Sequence, residues 1–141
     1  MAPKDPKVEL LKSIPLFSGL AGRELERIAQ LLDEVDVPAD KVLMRQGEIG
    51  AEMFIVLSGR FNVERDGRSL GVRGRGETLG EIALVSEGPR TATVTAAEPG
   101  RLLVAGHREF HSLMDVSPAI RLHILDVLAR RLRALDLDAV H

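Results

Sequence analysis

One stretch, Gly80 to Val94, holds most of the residue types that could bind a ligand. Within it Gly80 precedes the acid Glu81, and the rigid Pro89 precedes the lone cation Arg90. Glycine allows a tight left-handed turn, and one short helical turn after it would present free N–H groups. Those donors and a guanidinium both favour an anion. The stretch therefore predicts a site for a small phosphorylated ligand.

Each of these residues also has a purely structural interpretation. An arginine after a proline at the start of a strand is usually a solvated surface charge. An acid such as Glu81 in a first helical turn stabilises the helix dipole without any ligand. The combination of Gly80, Glu81 and Arg90 in one segment favours the ligand role over both.

Other chemistries have weaker support. The run from Gly74 to Gly80 has one residue too many for a dinucleotide-binding fingerprint and lacks the strand–helix–strand context. His107 and His111 have the spacing of metal ligands, but the glutamate between them is misplaced for a zinc protease, so we expect surface histidines. No serine, histidine and aspartate arrangement with a supporting turn is present. We predict neither a metal site, nor catalytic residues, nor an enzyme.

The composition bounds the class of protein. A chain of 141 residues, 45% hydrophobic and 28% charged, predicts a single domain over residues 1–141. The formal net charge of -2 gives no reason to expect direct nucleic-acid binding by this chain. The absence of cysteine excludes disulfides and thiolate metal sites. Because the N-terminal apolar patches are too broken for a signal peptide or a membrane span, we expect a cytoplasmic protein without membrane insertion.

Apolar periodicity divides the chain into three zones. Helical spacing predicts N-terminal helices over about 7–33. Short alternating or β-branched runs, separated every ~8–12 positions by turn residues such as Asp66-Gly67, predict a β-sandwich or jelly roll over about 35–105. Helical spacing returns over about 107–137 and is broken at Ser117 and Pro118, where the serine can cap and the proline can open a last helix. The predicted fold class is mainly β with flanking helices.

Two glycine-framed segments carry a family resemblance. The first runs from Arg45 to Gly59, with glycines at the turns into and out of a buried strand, and the second is the stretch from Gly80 to Val94. Their order and separation resemble the cyclic-nucleotide-binding domain family of bacterial catabolite activator proteins, protein kinase A regulatory subunits and cyclic-nucleotide-gated channels. The resemblance covers the chain from Leu11 to Leu135. It implies an eight-stranded jelly-roll barrel or sandwich with N-terminal helices and two C-terminal helices.

The resemblance implies a phosphate-binding cassette at 80–92. Arg90 matches the arginine that pairs with the exocyclic phosphate oxygens, and a lysine could not copy its planar fork. Glu81 matches the glutamate that accepts a hydrogen bond from the ribose 2′-hydroxyl. Gly80 matches the glycine that lets the backbone approach the sugar and the phosphate closely, and Ala92 matches a small residue whose N–H faces the phosphate. Four neighbours complete the implied ligand-binding set: Ile82, Ala83, Pro89 and Thr91.

The base of the ligand stays open between adenine and guanine. In the resembling family a hydroxyl at the position of Thr91 reaches the phosphate and, in some members, the 2-amino group of a syn guanine, which leaves cGMP open. Members with Ser or Thr at this position also bind adenine, and we rank cAMP ahead of cGMP. No cofactor beyond this cyclic mononucleotide is expected.

The last helix would carry the output. It has an apolar stripe at helical spacing: Ile120, Ile124, Val127, Leu128, Leu132 and Leu135. The plain interpretation is a helix packed on the barrel. The resemblance adds closure over the base on ligand binding and pairing with a second copy, so a homodimer through this helix is one option. Because Trp and Tyr are absent, an aliphatic or arginine side chain would have to cap the base.

The mechanism and the partners follow as expectations. A ligand shifts a domain only through its different affinity for open and closed states, and a hinge near Ser117 would let the last helix follow the cassette. Too few residues follow Leu135 for a helix-turn-helix domain, so we expect a stand-alone sensor with an unidentified effector or a piece of a larger protein. The main rival is a structural or dimerisation module that has lost its ligand, against which the intact Gly80, Glu81 and Arg90 argue.

Overall fold

The computed structural model describes the backbone of residues 6–139 and the side chains as far as Ala134. The chain forms two compact units, one from residues 31–111 and one from the residues up to Gln30 together with those from Ser112 onward. The first is a β unit and the second is helical. The prediction of a single domain over residues 1–141 stays a prediction.

The β unit consists of short antiparallel strands in three sheets. Two sheets have four strands each, in the orders β1-β10-β4-β7 and β2-β9-β5-β6, and β3 pairs with β8 alone. The bounds of the strands are β1 Asp33–Val37, β2 Val42–Met44, β3 Ile49–Gly50, β4 Glu52–Ser58, β5 Phe61–Arg65, β6 Arg68–Arg73, β7 Thr78–Leu79, β8 Gly88–Pro89, β9 Thr93–Ala96 and β10 Gly100–Gly106. The fold class, mainly β with flanking helices, is confirmed. The described residues form ten strands in place of the expected eight, because the β3–β8 ladder stands apart from the two larger sheets.

The core of the β unit draws on both four-stranded sheets. Val56 of β4, Phe61 of β5 and Ala96 of β9 are fully buried in one apolar cluster. Burial of a valine or phenylalanine side chain contributes about 1.5–3 kcal/mol relative to leaving it exposed. This cluster holds the sheets from which the cassette and its neighbouring hairpin project.

That hairpin joins β5 to β6 through the turn residues Asp66 and Gly67. Both have positive φ, 54° and 78°, as a two-residue turn of this hand requires, so the turn predicted from Asp-Gly is confirmed. Nε2 of Gln46 donates to Oδ1 of Asp66 at 2.8 Å, and the Asp66 N–H donates to Oε1 of Gln46 at 2.9 Å. This reciprocal pair ties the tip of the hairpin to the turn that leads into β3.

Four α-helices are described: α1 Pro6–Ser13, α2 Gly22–Leu31, α3 His107–Val116 and α4 Pro118–Ala139. The N-terminal helical zone is shorter than predicted, because β1 already begins at Asp33. None of the described helices has the length and apolarity that a membrane crossing needs.

The break before α4 occurs where the sequence predicts it. The Ile120 N–H donates to the Ser117 hydroxyl oxygen at 3.3 Å, which is the hydrogen bond of a helix cap. The same hydroxyl donates to Oε2 of Glu24 in α2 at 2.9 Å, and both side chains are buried. The helical unit is therefore linked internally through the residue that caps α4.

The apolar stripe of α4 is only partly buried. Ile120 and Ile124 are fully buried, whereas Leu132 is 60% exposed. Leu122 and Leu125, outside the predicted stripe, are 64% and 48% exposed. The side chain of Leu135, the last position of the predicted stripe, lies outside the described residues.

Candidate functional site

The cassette has the order of elements that the sequence predicts. After β7, Gly80 takes the left-handed conformation, with φ 74° and ψ 32°, and a 3₁₀ helix follows over Glu81–Leu84. The Ala83 N–H donates to the Gly80 carbonyl at 3.1 Å, which closes its first turn. Glycine is the residue that adopts this backbone without a steric cost. The turn delivers Glu81 at the first position of the helix.

Two glycines make room for the side chain of Arg90. A Cβ added at Gly50 would lie 1.8 Å from Nε of Arg90, and one added at Gly80 would lie 2.6 Å from Nη1. The backbone of Arg90 is held as well: its N–H donates to the Glu48 carbonyl and its carbonyl accepts from the Gly47 N–H, both at 2.8 Å. The guanidinium therefore lies over a floor that any larger residue would block.

The charge of Arg90 is partly removed from water. Its side chain is half-buried, and this desolvation lowers the pKa of the guanidinium, while the carboxylate of Glu52 acts in the opposite direction. The ring centroid of Phe54 lies 6.0 Å from Cζ, at the outer limit of a cation–π contact. No ion pair of Arg90 occurs among the side chains that the structure describes. A desolvated cation of this kind favours an incoming anion.

The carboxylate of Glu81 is oriented by a neighbour. The Thr78 hydroxyl donates to Oε1 of Glu81, and both side chains are half-buried. A carboxylate has about four acceptor sites and can accept several hydrogen bonds. The sequence did not mark Thr78 as a site residue, because the contact depends on the turn at Gly80 between them.

All eight residues of the predicted ligand-binding set line one cavity of about 340 Å³. Ala83 and Ala92 are buried there, whereas Ile82 is 63% exposed. The cavity walls also include side chains that the sequence did not indicate, four of them on β5 and β6: Val63, Arg65, Leu70 and Arg73. A concave pocket that combines apolar side chains with a few charged groups is typical of a small-molecule site.

Arg65 contacts the cassette directly. Its Nε donates to the Thr91 carbonyl at 2.8 Å. The neighbouring Arg73 instead pairs with Glu77, with Nε 3.5 Å from Oε2. Neither arginine belongs to a sequence motif, and only the Asp-Gly turn beside Arg65 hinted at the hairpin that places both on the cavity wall.

The expectation that His107 and His111 are surface histidines is wrong. The His107 side chain is only 17% exposed, and its Nδ1 lies 2.5 Å from the Ala83 carbonyl. Nε2 of His111 lies 3.4 Å from the Val85 carbonyl, and the two rings are 4.2 Å apart. A nitrogen next to a carbonyl oxygen carries its proton, so both rings donate to carbonyls at the end of the cassette helix. Among the described residues, no three His, Cys, Asp or Glu side chains form a metal-binding group.

The chain is similar to known proteins over most of its length. The sequence model of the cyclic nucleotide-binding domain matches residues 34–117. The cyclic AMP receptor protein of Thermus thermophilus is 32% identical over 91% of this chain and 62% of its own length. The N-terminal domain of a transcriptional regulator from Streptomyces coelicolor superposes with a TM-score of 0.84 at 30% identity, over 94% of this chain and 95% of that one.

A third relative was solved with a ligand. The regulatory domain of Toxoplasma gondii PKA, in co-crystals with cAMP, superposes with a TM-score of 0.71 at 31% identity, over 79% of this chain and 46% of that one. The chain spans less than two thirds of the length of the Thermus receptor. The matched segment covers more than half of the chain and contains the whole cassette. The chain belongs to the cyclic nucleotide-binding domain family.

Proposed function

We propose that this chain is a non-catalytic, cytoplasmic regulatory domain that binds a cyclic mononucleotide, cAMP in preference to cGMP, in the cavity around Arg90. One observation carries the proposal: the half-buried guanidinium of Arg90 lines a cavity of about 340 Å³ and has no ion pair among the described side chains. A cyclic phosphate would compensate the hydration that this cation has lost. It would also match the planar fork of the guanidinium.

The neighbouring groups fit the rest of such a ligand. Glu81, oriented by Thr78, is placed to accept a hydrogen bond from a ribose 2′-hydroxyl. Val63 and Leu70 supply apolar wall for a base. The remaining residues of the predicted set, Gly80, Ile82, Ala83, Pro89, Thr91 and Ala92, would complete the contact surface.

The ranking of cAMP ahead of cGMP has its support in the relatives. The Thermus protein is named as a cyclic AMP receptor, and the Toxoplasma domain was crystallised with cAMP. We carry this ligand over to the present chain as a proposal, with cGMP as the alternative. No cofactor is needed besides the nucleotide.

The proposed output is a changed position of α4. A displacement that begins at Ser117 must either break its hydrogen bond to Glu24 or move α2 together with α4. Hydrogen exchange, followed over 80–92 and 118–139 with and without saturating cAMP, tests this movement. We expect slower exchange in the cassette and altered exchange in α4. Identical exchange in both segments would contradict the proposed output.

A second candidate function is a dimerisation module that has lost its ligand. The exposed Leu122, Leu125 and Leu132 of α4 favour it, because exposed apolar side chains on one helix are typical of an interface. Pairing through α4 does not itself exclude nucleotide binding, so the two candidates differ in whether the chain binds a nucleotide. The effector in either case would be a separate protein or another domain.

Calorimetric titration with cAMP and cGMP separates the two candidates. We expect saturable binding, with tighter binding of cAMP, and a loss of about 10–150-fold in Arg90→Ala, since a charge-assisted hydrogen bond contributes about 1.5–3 kcal/mol. The matched control is Arg60→Ala, because Arg60 is exposed and pairs with Glu98 outside the cavity. If neither nucleotide binds at about 1 mM, the ligand-free module is favoured.

A further inference from the structure

The contact between Arg65 and the cassette has no role in the function proposed so far. Arg65 is the last residue of β5, and its Nε donates to the Thr91 carbonyl at 2.8 Å. Both residues line the cavity. The hydrogen bond thus reaches from the hairpin to the residue that follows Arg90.

The backbone around Arg90 is held from two sides. On one side, the Gly47 N–H and the Glu48 carbonyl pair with the carbonyl and the N–H of Arg90. On the other side, Arg65 holds the next carbonyl along the chain. Because the backbone of the Arg90–Thr91 segment is fixed at both ends, its position sets where the Arg90 side chain can reach.

The position of Arg90 tolerates little error. Its guanidinium lies directly over Gly50 and Gly80, where even a methyl group would clash. The backbone at Arg65 is itself held, because the adjacent Asp66 exchanges two hydrogen bonds with Gln46. An exposed donor on a held backbone is therefore bonded to the segment that carries the phosphate-binding cation.

We propose that Arg65 is a positioning residue of the binding site, an inference that rests on the function proposed above. Its Nε–H fixes the Thr91 carbonyl and thereby directs Arg90 toward the cyclic phosphate. The donor atom performs this role, and the positive charge of Arg65 is dispensable for it. The hydrogen-bond donor and the positive charge can be separated, because one substitution of Arg65 retains the donor and another retains the charge.

Glutamine provides the separating substitution. Its amide nitrogen stands at the same number of bonds from the backbone as Nε of arginine, and it is a donor without a charge. Arg65→Gln therefore retains the hydrogen bond to Thr91, Arg65→Lys retains the charge without the planar donor, and Arg65→Met retains length alone. The matched control is Arg68→Met, because Arg68 lies opposite Arg65 in the hairpin, is exposed and does not line the cavity.

Titration of the full chain with cAMP measures the effect. We expect Arg65→Met to weaken binding about five- to tenfold, the size of one hydrogen bond, and Arg65→Gln and Arg68→Met to bind within about twofold of the unaltered chain. Arg65→Lys should resemble Arg65→Met. In an Arg90→Lys background, Arg65→Met should add less than about twofold, because the guanidinium it positions is no longer present.

Two results would overturn the inference. Wild-type affinity in Arg65→Lys with weakened binding in Arg65→Gln would assign the effect to charge. Unchanged cAMP binding in Arg65→Met would show that Arg65 has no role in the binding site. A readout without ligand separates this failure from that of the proposed function: NMR hydrogen exchange at the Gly47 and Arg90 amides should be faster in Arg65→Met but not in Arg65→Gln. If no nucleotide binds while this exchange pattern holds, the proposed function fails and the positioning by Arg65 stands.

Discussion

Each unit of the molecule contains a charged side chain withdrawn from water, and their surroundings differ. Glu24 of the helical unit is 7% exposed, accepts a hydrogen bond from Ser117 and lies 3.7 Å from Nη1 of Arg27. Arg90 of the β unit lies over two glycines and lines a cavity. The buried acid has partners from its own unit, whereas the half-buried cation has no ion pair among the described side chains. Loss of an internal partner from a buried, paired charge destabilises the fold, and a charge without internal partners is available to a ligand.

Because Arg90 has no ion pair among the described side chains, we expect its displacement to lower the affinity for cAMP strongly. The unfolding free energy should fall only slightly. In Gly50→Ala the new methyl group would overlap Nε of Arg90, and a flexible side chain can move away from it. Since φ of Gly50 is not in the left-handed region, the backbone itself tolerates alanine. We expect cAMP affinity to fall about 10–150-fold, as in Arg90→Ala, with the ligand-free unfolding free energy lowered by less than about 1 kcal/mol. Calorimetry and urea unfolding measure the two quantities.

Gly74→Ala is the control for this substitution. A Cβ at Gly74 meets no atom within 4 Å, and its φ is not in the left-handed region either. Binding and stability should both stay close to those of the unaltered chain. Unchanged affinity in Gly50→Ala would show that the guanidinium does not need its glycine floor.

Glu24, the buried acid with internal partners, is expected to contribute to stability. Glu24→Ala removes the acceptor of the Ser117 hydroxyl and a carboxylate near Arg27. The unfolding free energy should fall by about 2–3 kcal/mol, the range for a hydrogen bond to a charged group plus an unsatisfied donor. Glu26→Ala, an exposed position in the same helix, is the matched control and should change it by less than about 0.5 kcal/mol.

A double-mutant cycle assigns the effect to the pair. Ser117→Ala alone should cost about 2–3 kcal/mol, because it removes the donor to the buried Glu24 carboxylate as well as the cap of α4. If the two side chains stabilise the unit through their hydrogen bond, the double variant should be less destabilised than the sum of the single ones. Strict additivity in urea unfolding would contradict a structural role for the contact.

The features that the sequence predicted correctly depend on local chemistry. The turn at Asp66 and Gly67 follows from residues that accept positive φ, and the start of α4 follows from a capping serine before a proline. The order of glycine, acid and arginine in the cassette also allowed a prediction, because few structures other than an anion site need these three residue types together.

The features that the sequence did not reveal depend on contacts between distant segments. Gly50 was interpreted as a turn glycine, but its lack of a side chain serves Arg90, forty positions away in the sequence. The histidines at His107 and His111 were expected at the surface, because nothing in their helix indicates that it meets the end of the cassette. The β3–β8 ladder was missed since a strand of two residues has no periodicity.

The smallest effect is expected when the charge of Arg90 is removed in the absence of ligand. This substitution tests whether Arg90 lowers the stability of the fold. Its lowered pKa means that the charged form is less favourable in the folded chain than in water, so removal of the charge should not destabilise. In Arg90→Met, an apolar side chain of similar length, the ligand-free unfolding free energy should stay unchanged or rise by at most about 0.5 kcal/mol, because the half-exposed guanidinium retains much of its hydration. Arg60→Met, at an exposed position, provides the baseline for urea unfolding. A loss of more than about 1 kcal/mol relative to that baseline would place Arg90 with Glu24 as a charge that the fold itself requires.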